Sequence, residues 1–271
     1  MTVWFVGAGP GAPDLLTVRA QRLLATAPVV LYAGSLVPPE VLAGTRPGAH
    51  LVNTAELDLD AITAELVTAH AGGHDVVRLH SGDPSIFSAV AEQARRLDAA
   101  GVPWQIVPGV PAFAAAAAAL GQELTLPGIG QTVVLTRTSA RATPMPPGED
   151  LASLAATGCT LVLHLAVQHA DKVAAELLPH YGPDCPTAVV ARATWPDEVV
   201  LRCPLGELGD RVAAAGIRRT AIIVVGRVLA HGGFTDSHLY SAARDRTAAG
   251  ARPGPPGPPA REQTAGTTRE A

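Results

Sequence analysis

Val3-Trp4-Phe5-Val6-Gly7-Ala8-Gly9-Pro10-Gly11-Ala12-Pro13-Asp14-Leu15-Leu16-Thr17 opens the chain with a short apolar run, a glycine-rich turn and the start of an amphipathic segment. Val3 to Val6 predicts a strand, and the turn leads into a helix from about Asp14, with Asp14 as its cap and Leu15, Leu16, Leu23 and Leu24 as its apolar face. Strand, glycine turn and helix in that order begin an α/β architecture. Read as G-x-G-x-x-A, the turn matches a dinucleotide fingerprint, in which N–H groups at a helix start hold a pyrophosphate. Two features oppose a phosphate ligand. Pro10 has no N–H where the cradle needs donors, and Leu31-Tyr32-Ala33-Gly34-Ser35, after the next strand, lacks the acid that would hold a ribose hydroxyl. A tight turn with no ligand and a loop for a phosphate-free ligand both fit these residues.

The same alternation continues along the chain. Strands are expected at Val29 to Tyr32, Val76 to Leu79 and Trp104 to Val107, with helices carrying Leu59, Ile62 and Leu66, then Ile86 to Leu97, then Ala114 to Ala119. This set forms an N-terminal α/β domain over residues 1–121. A second α/β domain over residues 122–241 has strands near Thr132 to Thr136, Thr160 to Leu163, Thr187 to Val190, Glu198 to Arg202 and Ala221 to Val225. Its helices fall near Asp150 to Ala156, His169 to Leu178 and Leu205 to Ala214. The connector Arg137 to Glu149 carries Pro144, Pro146 and Pro147 and is long for a plain link, which suggests a functional role. From about Ala242 apolar periodicity is lost. The Pro/Gly-rich segment 242–271, with only two collagen-like triplets in Gly254 to Pro259, is expected to be disordered.

Composition narrows the function classes. The 271 residues hold 20 basic against 24 acidic side chains, a net charge of −4, which argues against a protein held to nucleic acid by phosphate contacts. All the basic residues but Lys172 are Arg, and Ala, Gly and Pro are abundant; GC-rich codons explain that bias without function. The longest apolar run, alanine-rich and ending at Leu120, is far short of the roughly 20 residues of a membrane helix. Met1 to Phe5 carries no basic leader, so a cytoplasmic location is expected. Cys159, Cys185 and Cys203 are odd in number and widely spaced, which supports neither a disulfide framework nor a zinc site. No metal site is expected, and His164 and His169 lack the spacing of a helical zinc pair.

Two further stretches carry chemistry. Ser81-Gly82-Asp83-Pro84 follows a strand, and Asp83 suits either a helix N-cap with Pro84 at the first helical position or a ligand contact at the C-terminal sheet edge. Pro108-Gly109-Val110-Pro111-Ala112 leads into the alanine run, where small side chains let a flat ligand approach the backbone.

Taken together, Val6 to Gly11 with Leu15-Leu16-Thr17, Tyr32 to Leu36, Leu79 to Phe87, Pro108-Gly109-Val110, Leu124-Thr125-Leu126-Pro127, Gln131 to Arg137 and Ala191 to Thr194 resemble the tetrapyrrole methylases. The likeness spans roughly residues 1–240 in order. Tyr32 to Leu36, His80 to Phe87 and Thr143-Pro144-Met145-Pro146 are most similar to the branch that methylates carbon 11 of precorrin-4 in cobalamin synthesis. The resemblance implies two α/β domains with S-adenosylmethionine (SAM) in the cleft between them, S-adenosylhomocysteine as product, a precorrin-4-type tetrapyrrole as substrate, with or without cobalt, and a homodimer. It implies no nucleic-acid or membrane partner. Carried over by position, the cofactor residues are Pro10, Ser81, Gly82, Asp83, Ile86, Pro111, Ala112, Leu165, Ala193, Thr194, Thr220 and Ala221. Ser35, His80, Arg137 and Arg141 are the substrate candidates, the arginines because guanidinium grips carboxylates in a bidentate way. Solvated loop arginines are the plain alternative. Pro111-Ala112 replaces the family's more usual Ser-Ser or Thr-Ala, and Gly128-Ile129-Gly130 stands where a Glu is often found. No catalytic acid or base is implied. Methylation at another precorrin position, or a non-catalytic tetrapyrrole carrier, are the competing functions.

Overall fold

Alternating side chains along the first strand are divided between two cores. In the computed structural model, which describes residues 1–138, 144–230 and 236–237, Val3 and Phe5 of β1 (Val3–Gly7) face one cluster and Val6 the other. β1 is flanked by β4 (Val76–His80) and β5 (Trp104–Val107), and β2 (Val29–Tyr32) joins β4 to β3 (His50–Asn53), all parallel, in the order β3-β2-β4-β1-β5. Helix α1 (Val18–Thr26) covers one face through Ala20 and Leu24. Helix α3 (Leu59–Ala71), through Ile62 and Leu66, and α4 (Val90–Ala99), through Ala94 and Leu97, cover the other. A short helix, α2 (Pro39–Leu42), lies between β2 and β3.

The second sheet runs β6-β7-β10-β8-β9 and is mixed. β6 (Val133–Arg137) and β7 (Thr160–His164) are parallel. β10 (Ala221–Val225) runs antiparallel between β7 and β8 (Pro186–Ala191), and β9 (Val199–Pro204) is antiparallel to β8. One face packs on α7 (Ala170–Tyr181) and α8 (Leu208–Ala214), with Leu151 and Ala155 of α6 (Leu151–Ala155) at its margin. The other face takes α5 (Ala112–Ala119), whose Ala115 and Ala116 pack with Val162, Val190 and Val224. Alanine gives this helix high propensity and lets it lie close to the sheet. Arg202 on β9 donates to the Leu120 carbonyl (2.6 Å) and so satisfies the end of α5.

Both sheets fall within one compact unit. Several expectations change. Pro13–Leu15 forms a separate 3-10 turn, and α1 starts three residues later with Thr17, not Asp14, as its cap. Asp83 does not cap a helix and Pro84 does not begin one: α4 starts at Val90, after Ala89 in a left-handed conformation (φ 51°). Asp58 and Asp150 do cap α3 and α6. The edge strand β3 and helix α2 were not expected, and Leu205–Glu207 is a 3-10 turn ahead of α8. Segment 242–271 lies outside the described residues.

Candidate active site

In a parallel sheet the loops after the strands meet at one edge, and here three of them are knitted together through backbone. Ala8 N–H donates to the His80 carbonyl (2.7 Å), Gly9 N–H to the Gly82 carbonyl (3.2 Å), and Gly82 N–H back to Gly9 (2.8 Å). Gly82 holds φ +68°, and a Cβ on Gly7 would lie 2.6 Å from the Cα of Gly109, so no side chain fits there. Pro10 has no N–H, and Ala12 N–H is taken by Thr194 Oγ1 (2.9 Å). The N–H groups of Ala8, Gly9 and Ala12 are thus spent within the protein and Pro10 has none, which makes this loop a poor phosphate cradle.

Asp83 ties the second of these loops to the third. Its Oδ2 accepts from Gly109 N–H (2.7 Å), while Oδ1 accepts from the Ser85 N–H (2.8 Å) and the Ser85 hydroxyl. Partial burial pushes the carboxyl up, but the bonds from the Ser85 hydroxyl, Gly109 N–H and Ser85 N–H outweigh it and hold it below the usual range. The carboxylate is therefore ionised and a structural acceptor in its own right.

Opposite this edge lie the ends of β6, β7 and β8 and the start of β10. Arg137 pairs with His164, Ala191 with Ala221, and Arg192 N–H donates to the Thr220 carbonyl (2.8 Å). Four non-glycine residues here have left-handed backbone: Leu165 (φ 53°), Arg192 (48°), Thr194 (69°) and Thr220 (54°). Such conformations are costly for L-residues and persist where the surroundings enforce them. The two edges touch. Phe87 and His164 stack at 5.2 Å, Thr194 reaches Ala12, and Trp195 Nε1 donates to the Pro10 carbonyl (2.8 Å).

The structure places Pro10, Ser81, Gly82, Asp83, Ile86 and Pro111 on the loops of the first edge with Ala112 at the start of α5 beside them, and Leu165, Ala193, Thr194 and Thr220 on the second edge with Ala221 at the start of β10. Leu165 is 64% exposed, an apolar side chain left free beside the contact. Pro111 is the residue before α5. The substrate candidates are less unified. Ser35 is exposed after β2, Arg137 ends β6 and donates to the Thr138 carbonyl (3.2 Å), and Arg141 lies outside the described residues. His80 is only 5% exposed, which leaves little of it for a substrate to touch. It packs on Phe5, and burial, with Arg78 adding, pushes its imidazole down to about 3 against the opposing bond to the Ser88 backbone. Trp195, Phe87 and His164 join the site without having been expected there. Phe87 closes the Leu79 to Phe87 stretch that carries the resemblance, and Trp195 is one of 3 tryptophans in the chain, set beside the Ala193-Thr194 pair.

The family model for Tetrapyrrole (Corrin/Porphyrin) Methylases matches residues 2–209. The chain belongs to the tetrapyrrole methylase family. Among curated tetrapyrrole methylases it is 62% identical to a precorrin-4 C(11)-methyltransferase of Rhodococcus erythropolis, over 91% of this chain and 99% of the relative. Its fold matches a solved cobalt-precorrin-4 methyltransferase of cobalamin biosynthesis with a TM-score of 0.82 and 42% identity, covering 84% of this chain and 96% of that one. It also matches the uroporphyrin-III C-methyltransferase of Thermus thermophilus in complex with S-adenyl homocysteine, with a TM-score of 0.71 and 35% identity over 84% and 93% of the two chains.

Proposed function

We propose that this chain transfers the methyl group of SAM to carbon 11 of precorrin-4, giving precorrin-5 and S-adenosylhomocysteine in corrin-ring synthesis. The observation that carries the cofactor is the glycine loop in which the N–H groups of Ala8, Gly9 and Ala12 are committed within the protein and Pro10 has none: it suits a ligand without phosphate. The identity with the Rhodococcus enzyme supports the substrate and the position. That relative is named for precorrin-4 at 62% identity, whereas the solved enzyme named for the cobalt form stands at 42%, which supports the metal-free substrate.

When bound, SAM supplies a methyl group activated by an adjacent sulfonium. The chain's part is to bind and align. Pro10, Ser81, Gly82, Asp83, Ile86, Pro111 and Ala112 would hold the cofactor from the first edge, and Leu165, Ala193, Thr194, Thr220 and Ala221 from the second. The exposed side chains of Leu165 and Phe87 would give the transfer an apolar, water-poor surround. In-line displacement between two aligned reactants draws most of its acceleration from orientation, so no strong general base is required. Ser35 and Arg137, with Arg141, would meet the polycarboxylate substrate, the arginines as clamps. A homodimer, a cytoplasmic location and a functional division of the chain near Gly121 complete the reading, supported by the family resemblance.

Calorimetric titration tests the cofactor. S-adenosylhomocysteine should bind in the micromolar range, about −8 kcal/mol at 1 μM, and NAD should not. Tighter binding of NAD would overturn the reading.

A further inference from the structure

The turn between β8 and β9 is braced within itself to a degree its length does not require. Arg192 pairs with Asp197 (Nε to Oδ1 2.7 Å) and donates from Nη2 to the Asp197 carbonyl (3.1 Å). Thr194 N–H donates to Glu198 Oε2 (2.6 Å), Trp195 N–H to the Arg192 carbonyl (2.9 Å), and Glu198 N–H to the Trp195 carbonyl (3.1 Å). These bonds hold Arg192 and Thr194 in left-handed backbone, a conformation that survives only where it is over-determined.

The braced turn grips the opposite half at three consecutive residues. The Trp195 indole donates to the Pro10 carbonyl, the Thr194 hydroxyl accepts from Ala12 N–H, and between them Gly11 lies so close that a Cβ would run into the indole ring. The backbone of Gly11 is ordinary, so space alone demands glycine there. Ala8 and Gly9 are held by the first sheet; Pro10 and Ala12 are held by this turn.

We propose that Trp195 is a positioning residue for methyl transfer: its indole fixes Pro10 to Ala12 so that the cofactor meets a preformed loop. This rests on the methyltransferase reading. A loop in place for only part of the time lowers apparent affinity by that fraction, while saturating cofactor restores it.

Trp195→Phe keeps an aromatic ring and removes the donor. The variant should bind S-adenosylhomocysteine roughly threefold to tenfold more weakly by calorimetry. In the free protein, amide hydrogen exchange should accelerate across Gly11 to Leu15 and stay unchanged at Ala8, Gly9 and in α7. In turnover, KM for SAM should rise with kcat within about twofold of the parent. Gly11→Ala should give the same pattern, and much less of it in a Trp195→Ala background where the methyl group finds room. Parent-like affinity and exchange in Trp195→Phe, or an undiminished Gly11→Ala effect in the Trp195→Ala background, would overturn the proposal. A parent protein that fails to bind S-adenosylhomocysteine would instead remove the functional reading, and exchange in the free protein would still decide the role of Trp195.

Discussion

The two facing sheet edges differ in where they depend on glycine. On the first, Gly7 and Gly109 meet backbone to backbone where a Cβ has no room, Gly82 supplies a positive φ, and Phe87 and Ala89 farther along the loop after β4 are left-handed. On the second, Leu165, Arg192, Thr194 and Thr220 adopt left-handed backbone although glycine would do so at no steric cost. Retaining a side chain where glycine is easier implies that the side chain is used. Thr194 shows this directly, since its hydroxyl accepts from Ala12. The first edge therefore brings backbone together at Gly7 and Gly109, whereas the second keeps side chains at its turns.

Substitutions at the two edges should then differ in sign and size. Gly109→Ala places a Cβ 2.8 Å from the Cα of Gly7, backbone against backbone with nothing flexible to yield. It should destabilise by about 3 kcal/mol or more in urea unfolding and abolish S-adenosylhomocysteine binding. A folded, binding Gly109→Ala protein would break the contrast.

Asp83→Asn comes next. The amide can keep the Ser85 contacts through its oxygen but cannot also accept from Gly109 N–H, and losing that bond should cost about 1 kcal/mol at neutral pH, because water screens this partly exposed carboxylate. Because the folded carboxyl titrates below its unfolded value, this stability is present above about pH 4 and lost as pH falls through the lower native value. Urea unfolding from pH 7 to 3 should show the parent approaching the variant at the acid end. A gap that stays constant with pH would place the effect elsewhere.

His80 gives a graded signal that grows toward acid pH. Its native imidazole titrates near 3, well below the unfolded value of about 6.5, so between these limits the unfolded chain binds a proton that the native state refuses. Stability should fall by about 1 kcal/mol per pH unit from this group as pH drops below about 6.5. His80→Gln should flatten that limb. Parallel profiles for parent and variant would show that the histidine is charged in the fold.

The least effect is expected on the second edge. Thr220→Gly relieves a left-handed residue, worth about 1–2 kcal/mol, but loosens the unfolded chain by about 0.5–1 kcal/mol. Stability should equal the parent's or exceed it by up to about 1.5 kcal/mol, opposite in sign to Gly109→Ala. A clear loss in Thr220→Gly would mean that this side chain also supports the fold.

Much of this architecture was legible in the sequence because it is local. Val29 to Tyr32, Trp104 to Val107 and Ala221 to Val225 form strands with the expected bounds, their β-branched and aromatic side chains matched to sheet faces. β3 escaped notice because His50, Leu51 and Asn53 are exposed at a sheet edge and leave no apolar pattern. Asp83 reads as a helix cap from spacing alone, yet its partner Gly109 is 26 residues away. Trp195 reaches across 185 residues to Pro10, and no local rule signals such a contact. The glycine loop lies between these cases: Pro10 already argued against phosphate, and only the fold shows where the remaining donors go.

Product analysis reaches the central claim. The protein is incubated with precorrin-4 and SAM carrying an isotopically labelled methyl group, and the isolated tetrapyrrole is examined by mass spectrometry and NMR. One label per macrocycle, on carbon 11, with a matching yield of S-adenosylhomocysteine, is the predicted result. An unlabelled macrocycle, or a label on any other carbon, would contradict it.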